Sequence, residues 1–212
     1  TSSLDVRSYP TGQILSISPN STSEGLSVTF TGNASDPDSS ETFVTYRWWS
    51  SIDGWLSDSQ NFSYSDWTPG NHTIYLQVKD SQDYWSMPVS GELFINDLPA
   101  ASIDSITPNP AYNNNATYTT VTFNGTVVDV DGSIVNYYWS SSKDGVLSTS
   151  SDFVINVNEL SNGNHTITFS GKDDYGAWSP SVITYLEVRE NPNATIHSVS
   201  GAFVNQYAKL WL

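Results

Sequence analysis

The chain has 212 residues, no cysteine, and 22 acidic against 7 basic residues, which gives a formal net charge of −15. This balance argues against a nucleic-acid partner, because no basic patch is available to displace counterions from phosphates; it suits divalent cations or a high-salt medium better. The missing cysteines exclude a disulfide framework and thiolate chemistry, and no run of about 18 apolar residues predicts a membrane span in this segment.

Along the chain, one block pattern occurs twice, at an interval of about 90 residues. The matching pairs are Val28-Thr29-Phe30 with Val121-Thr122-Phe123, Tyr46 and Trp48 with Tyr137 and Trp139, Asp53-Gly54 with Asp144-Gly145, Gly70 to Ile74 with Gly163 to Ile167, and Lys79-Asp80 with Lys172-Asp173. The repeat predicts two domains over residues 12–97 and 98–190, each long enough to bury its own core. A leader or linker over 1–11 precedes them, and a linker with a partial third repeat or a donated strand follows over 191–212.

Short apolar segments at spacings of about 8 to 12 residues, separated by Asn, Asp, Ser and Gly, predict an all-β chain of two tandem immunoglobulin-like β-sandwich domains. Trp48 and Trp139 are predicted to lie on a central strand and to face the opposite sheet. Tyr46 and Tyr137 share that face through the two-residue period of a strand.

The set of motifs F-x-G-x-x-x-D-x-D, Y-x-W, D-G and G-x-H-T-I, followed by a strand that ends in K-D, resembles the polycystic-kidney-disease (PKD) domain. That family is an immunoglobulin-like β-sandwich module common in surface proteins of archaea and bacteria. The likeness covers Ile14 to Ile95 and Ile103 to Val188. It implies a microbial, archaeal surface protein whose modules space, adhere or assemble, and seldom catalyse.

Two repeated loops carry candidate metal ligands. Asp36 and Asp38, and equivalently Asp129 and Asp131, place two carboxylates two residues apart. Hard cations such as Ca²⁺ bind where several oxygens converge, and the resemblance implies calcium because some PKD-like domains of secreted enzymes hold it in such loops. The alternative is that each Asp hydrogen-bonds the backbone of its own turn. No cofactor is required, and calcium is the one that the sequence suggests.

No catalytic site is predicted. His72 and His165 occupy one repeat position just before a strand, so we expect a structural or capping role, and His197 has no nucleophile signature nearby. Neither a phosphate-cradling glycine loop nor a zinc-binding His pair is present.

Eight Asn-x-Ser/Thr sequons predict covalent N-glycans on an extracellular protein. They begin at Asn20, Asn33, Asn61, Asn71, Asn115, Asn124, Asn164 and Asn193.

Two tryptophans break the repeat. Trp49 and Trp55 stand where the second copy has Ser140 and Val146, and Trp49 points away from Trp48. An exposed Trp on a sandwich face suits stacking on a sugar ring or burial at a subunit contact. Packing under a neighbouring loop is the alternative.

The segment from Ala194 to Val199 repeats Ala101 to Ile106, after which the pattern is lost. Either the natural chain continues into a complete third domain, or the segment folds back locally, or it adds a strand to a sheet edge of another molecule. In the last case the apolar residues of the donated strand are Ile196, Val199, Phe203, Val204, Leu210 and Trp211.

The leading hypothesis is an extracellular structural protein of PKD-like repeats, a segment of an S-layer, stalk or filament that acts in assembly or adhesion. Its partners would be copies of itself or neighbouring surface proteins. The alternative is a carbohydrate-binding or adhesive accessory module of a secreted hydrolase, which Trp49 and Trp55 support.

Overall fold

A computed structural model of the chain describes residues 8–37, 43–113 and 119–191. Within these ranges the regular elements are 16 β-strands and one 3₁₀ turn at Val157–Glu159. The predicted all-β class is therefore confirmed. Several predicted site residues lie outside the described residues: Asp38, Asn115, Asn193 and the donated-strand residues Ile196, Val199, Phe203, Val204, Leu210 and Trp211.

The first sandwich is built from eight strands: β1 (Thr11–Ser18), β2 (Ser21–Ser23), β3 (Val28–Ser35), β4 (Phe43–Ser50), β5 (Gly54–Ser57), β6 (Asn61–Tyr64), β7 (Gly70–Asp80) and β8 (Val89–Asn96). One sheet has the order β1-β3-β6, and the other has the order β2-β8-β7-β4-β5. The pairing of β2 with β8 is parallel, and the other pairings in this sandwich are antiparallel.

The second sandwich repeats this arrangement: β9 (Ala100–Thr107), β10 (Ala111–Asn113), β11 (Thr120–Val128), β12 (Ile134–Ser141), β13 (Gly145–Ser148), β14 (Phe153–Asn156), β15 (Gly163–Asp173) and β16 (Val182–Glu190). Its sheets have the orders β9-β11-β14 and β10-β16-β15-β12-β13. The two halves of the chain are thus two tandem β-sandwich domains with one topology.

Strict alternation in the central strands creates the two cores. In β7, Ile74, Leu76 and Val78 are fully buried, and the residues between them face outward because successive side chains of a strand point to opposite faces. Each sandwich closes around its own cluster of buried apolar residues, the first of which includes Trp67.

The repeated tryptophans confirm the predicted strand faces. Trp48 and Trp139 are fully buried, and each indole Nε1 donates a hydrogen bond of 3.1 Å to a backbone carbonyl, that of Ser59 and that of Ser151. Tyr46 and Tyr137 pack against the same cores.

The glycine of the F-x-G motif makes room for these indoles. A Cβ atom on Gly32 would lie 2.8 Å from Cζ2 of Trp48, and one on Gly125 would lie 2.7 Å from Cζ2 of Trp139. Both distances are too short for a carbon–carbon contact. The glycine of the motif is therefore required for the packing of the two sheets.

Candidate functional site

A buried histidine holds the β4–β5 hairpin of the first sandwich. His72 Nδ1 lies 2.7 Å from Ser50 Oγ, and Nε2 lies 2.7 Å from the carbonyl oxygen of Thr68. Because a carbonyl only accepts, Nε2 carries the proton, and Nδ1 accepts from the Ser50 hydroxyl. Ser50 Oγ in turn accepts from the backbone N–H groups of Ile52 and Asp53. We call this arrangement the histidine clamp.

The second sandwich contains the same clamp. His165 Nδ1 lies 2.8 Å from Ser141 Oγ, and Nε2 lies 2.6 Å from the carbonyl oxygen of Ser161. Asp144 Oδ2 is 3.3 Å from His165 Nδ1, and Asp53 Oδ2 is 3.6 Å from His72 Nδ1. Each cluster combines Ser, His and Asp, yet both imidazoles are fully buried, so no substrate reaches them. The expected structural role of the histidines agrees with these contacts.

The hairpin held by His72 carries the first candidate binding surface. Trp49 pairs with Trp55 on β5 and with Tyr75 on β7, so three aromatic residues lie side by side across three strands on the outer face. The rings of Trp49 and Tyr75 are stacked, with centroids 5.0 Å apart and an interplanar angle of 14°. Trp55 is 67% exposed. We call these three residues the aromatic platform.

A second row, displaced by two residues along the strands, borders the platform. Arg47 is two residues from Trp49 on β4 and pairs with Gln77 on β7. Its guanidinium carbon lies 4.2 Å from the centroid of the Trp85 ring, a cation–π contact. The prediction that Trp49 points out of the core is correct, and a neighbouring strand rather than a loop supplies its packing.

The second sandwich lacks the platform. Ser140 and Thr168 pair at the positions of Trp49 and Tyr75, and their hydroxyls hydrogen-bond to each other. Val146 takes the place of Trp55. At these three positions the scaffold therefore has aromatic rings in its first copy and Ser, Thr and Val in its second.

The other repeated tryptophans lie outside the cores. Trp85 and Trp178 occupy one repeat position, and each forms an isolated β-bridge with a lysine, Lys79 or Lys172. Trp178 nevertheless remains 40% exposed, because this bridge places it on the outer face beside Tyr138. The recurrence of these two tryptophans therefore reflects a shared position in the backbone and not a position in the core.

The junction between the sandwiches is the second candidate site. Asn96, at the end of β8, is 1% exposed, and its Nδ2 donates a 2.8 Å hydrogen bond to Oδ2 of the buried Asp173 in the second sandwich. The backbone N–H of Asp97 donates to Asp131 Oδ2 at 3.1 Å, and the rings of Phe94 and Tyr175 are 5.0 Å apart. We call this set of contacts the interdomain joint.

The predicted metal ligands Asp129 and Asp131 lie at this joint. Burial, and then the neighbouring charges of Asp131 and Asp173, raise the pKa of Asp129 above its ordinary value of 3.8. Asp129 Oδ2 is buried without a hydrogen-bond partner; a Cβ atom on Gly132 would lie 2.7 Å from it and 2.5 Å from Asp174 Oδ1. The two carboxylates thus border one small space.

The joint is not a formed metal site. Among the described residues, no group of three or more His, Cys, Asp or Glu side chains is arranged to hold a metal ion. The backbone-turn alternative is partly realised, since the N–H of Asp131 donates to Asp129 Oδ1 at 3.4 Å. In the first sandwich Asp36 is half-buried just after β3, while its predicted partner Asp38 is not described.

Most of the described sequon asparagines are accessible. Asn20, Asn33, Asn61, Asn71 and Asn164 are exposed. Asn124 is half-buried, and its Nδ2 donates to Ser105 Oγ at 2.8 Å, so a glycan there would replace that hydrogen bond.

Sequence reasoning missed three participants in these sites. None of the repeated motifs includes Tyr75, Asn96 or Asp174. The pairing of β4 with β7 and the docking of the two sandwiches bring these residues to the sites. The Lys-Asp pair that ends β7 and β15 recurs at one repeat position. This recurrence was the sequence feature that could have identified Asp173.

Comparisons with known proteins give distant likenesses. No protein-family model matches the chain. A protein of Rattus norvegicus, "Dyslexia-associated protein KIAA0319 homolog", is 25% identical over 164 residues, which are 72% of this chain and only 15% of that protein.

Among solved structures, the fibronectin(III)-like modules of Clostridium thermocellum CbhA are 15% identical with a TM-score of 0.41, over 88% of this chain and 100% of theirs. The PKD1 domain of Vibrio anguillarum Epp is 22% identical with a TM-score of 0.33, over 44% of this chain and 98% of its own. None of these likenesses identifies a ligand or partner of this chain. The described ranges contain no helix with the length and apolarity needed to cross a bilayer.

Proposed function

We propose that this chain is a segment of an extracellular, PKD-like structural protein from a microbial, archaeal cell surface. It acts in assembly or adhesion as part of an S-layer, stalk or filament, with copies of itself or neighbouring surface proteins as partners. No enzymatic step belongs to this function.

The observation that carries the proposal is the interdomain joint. Three residues, Asp97 to Pro99, separate β8 from β9, and a buried hydrogen bond joins Asn96 to Asp173 across the junction. A short linker with a proline and a buried hydrogen bond restrict the motion of one domain against the other. Such a pair of sandwiches keeps a defined spacing, as a structural segment requires.

Surface chemistry supports the same function. The net charge of −15 keeps an exposed protein in solution and gives it affinity for cations. The exposed sequon asparagines are available to N-glycans. Calcium at the joint would neutralise the carboxylates of Asp129, Asp131 and Asp174, provided that the exposed Asp131 and Asp174 side chains turn toward Asp129 Oδ2.

The test combines shape with assembly. The small-angle X-ray scattering curve of the full chain should fit a single arrangement of the two sandwiches. The curve of Asn96→Ala should require a broader distribution of arrangements. Arg189→Ala is the matched control, because Arg189 follows β16 residue Val188 as Asn96 follows β8 residue Ile95. Light scattering and negative-stain microscopy then compare residues 1–212 with residues 1–190.

Fibres or ordered sheets from the longer chain alone would support assembly through the C-terminal segment by strand donation. Monomers from both chains would contradict strand donation. Equal domain mobility in the wild-type protein and Asn96→Ala would contradict the structural role of the joint.

A second candidate function, an accessory sugar-binding module of a secreted hydrolase, is favoured by one specific observation, the aromatic platform. The hydrolase itself would lie outside this chain.

A further inference from the structure

The aromatic platform is a partly open apolar surface on the outer face of the first sandwich. Trp55, Trp49 and Tyr75 lie on three adjacent strands, β5, β4 and β7. Adjacent strands are about 4.8 Å apart, a spacing comparable with the length of one pyranose unit in an extended glycan. The Trp49 and Tyr75 rings stack on one another, and the Trp55 side chain is the most exposed of the three.

A hydrogen-bond donor and a hydrogen-bond acceptor flank the aromatic rings. Arg47 is exposed, and its guanidinium lies over Trp85, so its N–H groups are held beside the platform. No carboxylate among the described residues pairs with it. Glu92 on β8 pairs with Thr73 and faces the same side. A planar donor and a carboxylate acceptor beside aromatic rings match the hydroxyl groups and the apolar C–H face of a sugar.

Charge decides what class of sugar fits. Arg47 and Lys79 are the two basic residues between residues 12 and 97, against 11 acidic ones, and Lys79 is already paired with Asp83 at 2.9 Å. An anionic polysaccharide would therefore meet a strongly negative domain. An uncharged glycan avoids this penalty.

We propose that the outer face of the first sandwich binds an uncharged polysaccharide. Trp55 stacks on one sugar ring, the Trp49–Tyr75 pair supports the adjacent ring, and Arg47 donates hydrogen bonds to hydroxyl groups. The second sandwich does not bind, because Ser140, Val146 and Thr168 replace the three rings. This inference deepens the sugar-binding candidate and does not depend on the structural role of the joint, so either can fail alone.

The experiment measures binding of cellohexaose, chitohexaose and xylohexaose to the full chain by isothermal titration calorimetry and tryptophan fluorescence, with a hexamer of galacturonic acid as the anionic comparison. We expect at least one uncharged probe to bind, with an affinity that is nearly independent of salt. Trp55→Ala should weaken it at least about tenfold, which corresponds to about 1.4 kcal/mol. Arg47→Gln should weaken it by a smaller factor.

Tyr185→Ala is the matched control. Tyr185 is 69% exposed on β16 of the second sandwich, and its loss should leave binding unchanged. Circular dichroism checks that each variant is folded, and Trp55→Ala is expected to fold because the Trp55 side chain is exposed. Four results would each overturn the proposal: no uncharged probe binds; Trp55→Ala binds as the wild type does; only the galacturonic acid hexamer binds; or sedimentation shows a Trp55-dependent dimer without glycan binding.

Discussion

Single residues set the two cores, and the pair of a buried tryptophan with a glycine is the clearest case. In each sandwich the indole of Trp48 or Trp139 occupies the space that a side chain on Gly32 or Gly125 would need. Its Nε1 group also finds a carbonyl partner inside the core. Both the shape and the hydrogen bond of the indole are therefore used, and a smaller residue leaves a cavity and an unpaired carbonyl.

The prediction at this scale concerns the buried indoles. Trp48→Ala or Trp139→Ala should lower the free energy of unfolding by about 3–5 kcal/mol, from lost burial and the cavity left behind. Denaturant titration measures this change. Trp55→Ala is the control, since an exposed side chain should cost within about 0.5 kcal/mol. A loss below about 1 kcal/mol for the buried sites would contradict the assigned strand faces.

At the scale of elements, the β4–β5 and β12–β13 hairpins depend on contacts from outside themselves. Their turns contain Gly54 and Gly145 with φ of 71° and 72°, a left-handed conformation that favours glycine. The histidine clamp then ties each turn to the loop that precedes β7 or β15. In the first sandwich this tie also positions the strand that carries Trp55.

The prediction for these elements is that His72→Ala and His165→Ala each destabilise their own sandwich. Each change leaves the O–H of the partner serine without its acceptor and a carbonyl without its donor, and a buried unsatisfied group costs about 1–3 kcal/mol. Hydrogen exchange of the hairpin amides should show selective loss of protection in the altered domain. Asn71→Ala, the exposed neighbour of His72, is the control. Unchanged protection in the hairpin would show that the clamp is dispensable.

At the scale of the whole molecule, a cluster of carboxylates lies where the two sandwiches meet. The pKa of Asp129 is raised in the folded protein, so ionisation of this carboxyl lowers the free energy of unfolding. The loss of stability begins as pH rises above the unfolded pKa of 3.8. A bound cation or a neutral side chain would relieve it.

The prediction is that millimolar calcium raises the melting temperature at pH 7. A ligand at 100 times its dissociation constant stabilises the native state by about 2.7 kcal/mol. Asp129→Asn should raise the melting temperature in chelator, because it removes the buried charge, and should gain less from calcium than the wild type does. Equal melting temperatures of the wild type in chelator and in calcium would rule out the metal interpretation.

Much of this molecule follows from local patterns in the sequence. The repeat of motifs predicted two domains, and the two-residue alternation predicted which of Trp48 and Trp49 faces the core, because a strand sends successive side chains to opposite faces whatever it pairs with. The short apolar segments separated by Asn, Asp, Ser and Gly predicted the all-β class, because turn residues are likewise a local property of the chain.

Only the tertiary structure decided which residues meet across strands and across the joint. Tyr75 joins Trp49 because of the register between β4 and β7, and Asn96 meets Asp173 because the two sandwiches dock end to end. Trp178 shares the repeat position of Trp85 and still stays exposed, since exposure depends on what the outer face packs against. Periodicity is a property of one strand, whereas register and docking are properties of pairs, and the sequence of one strand does not specify its partner.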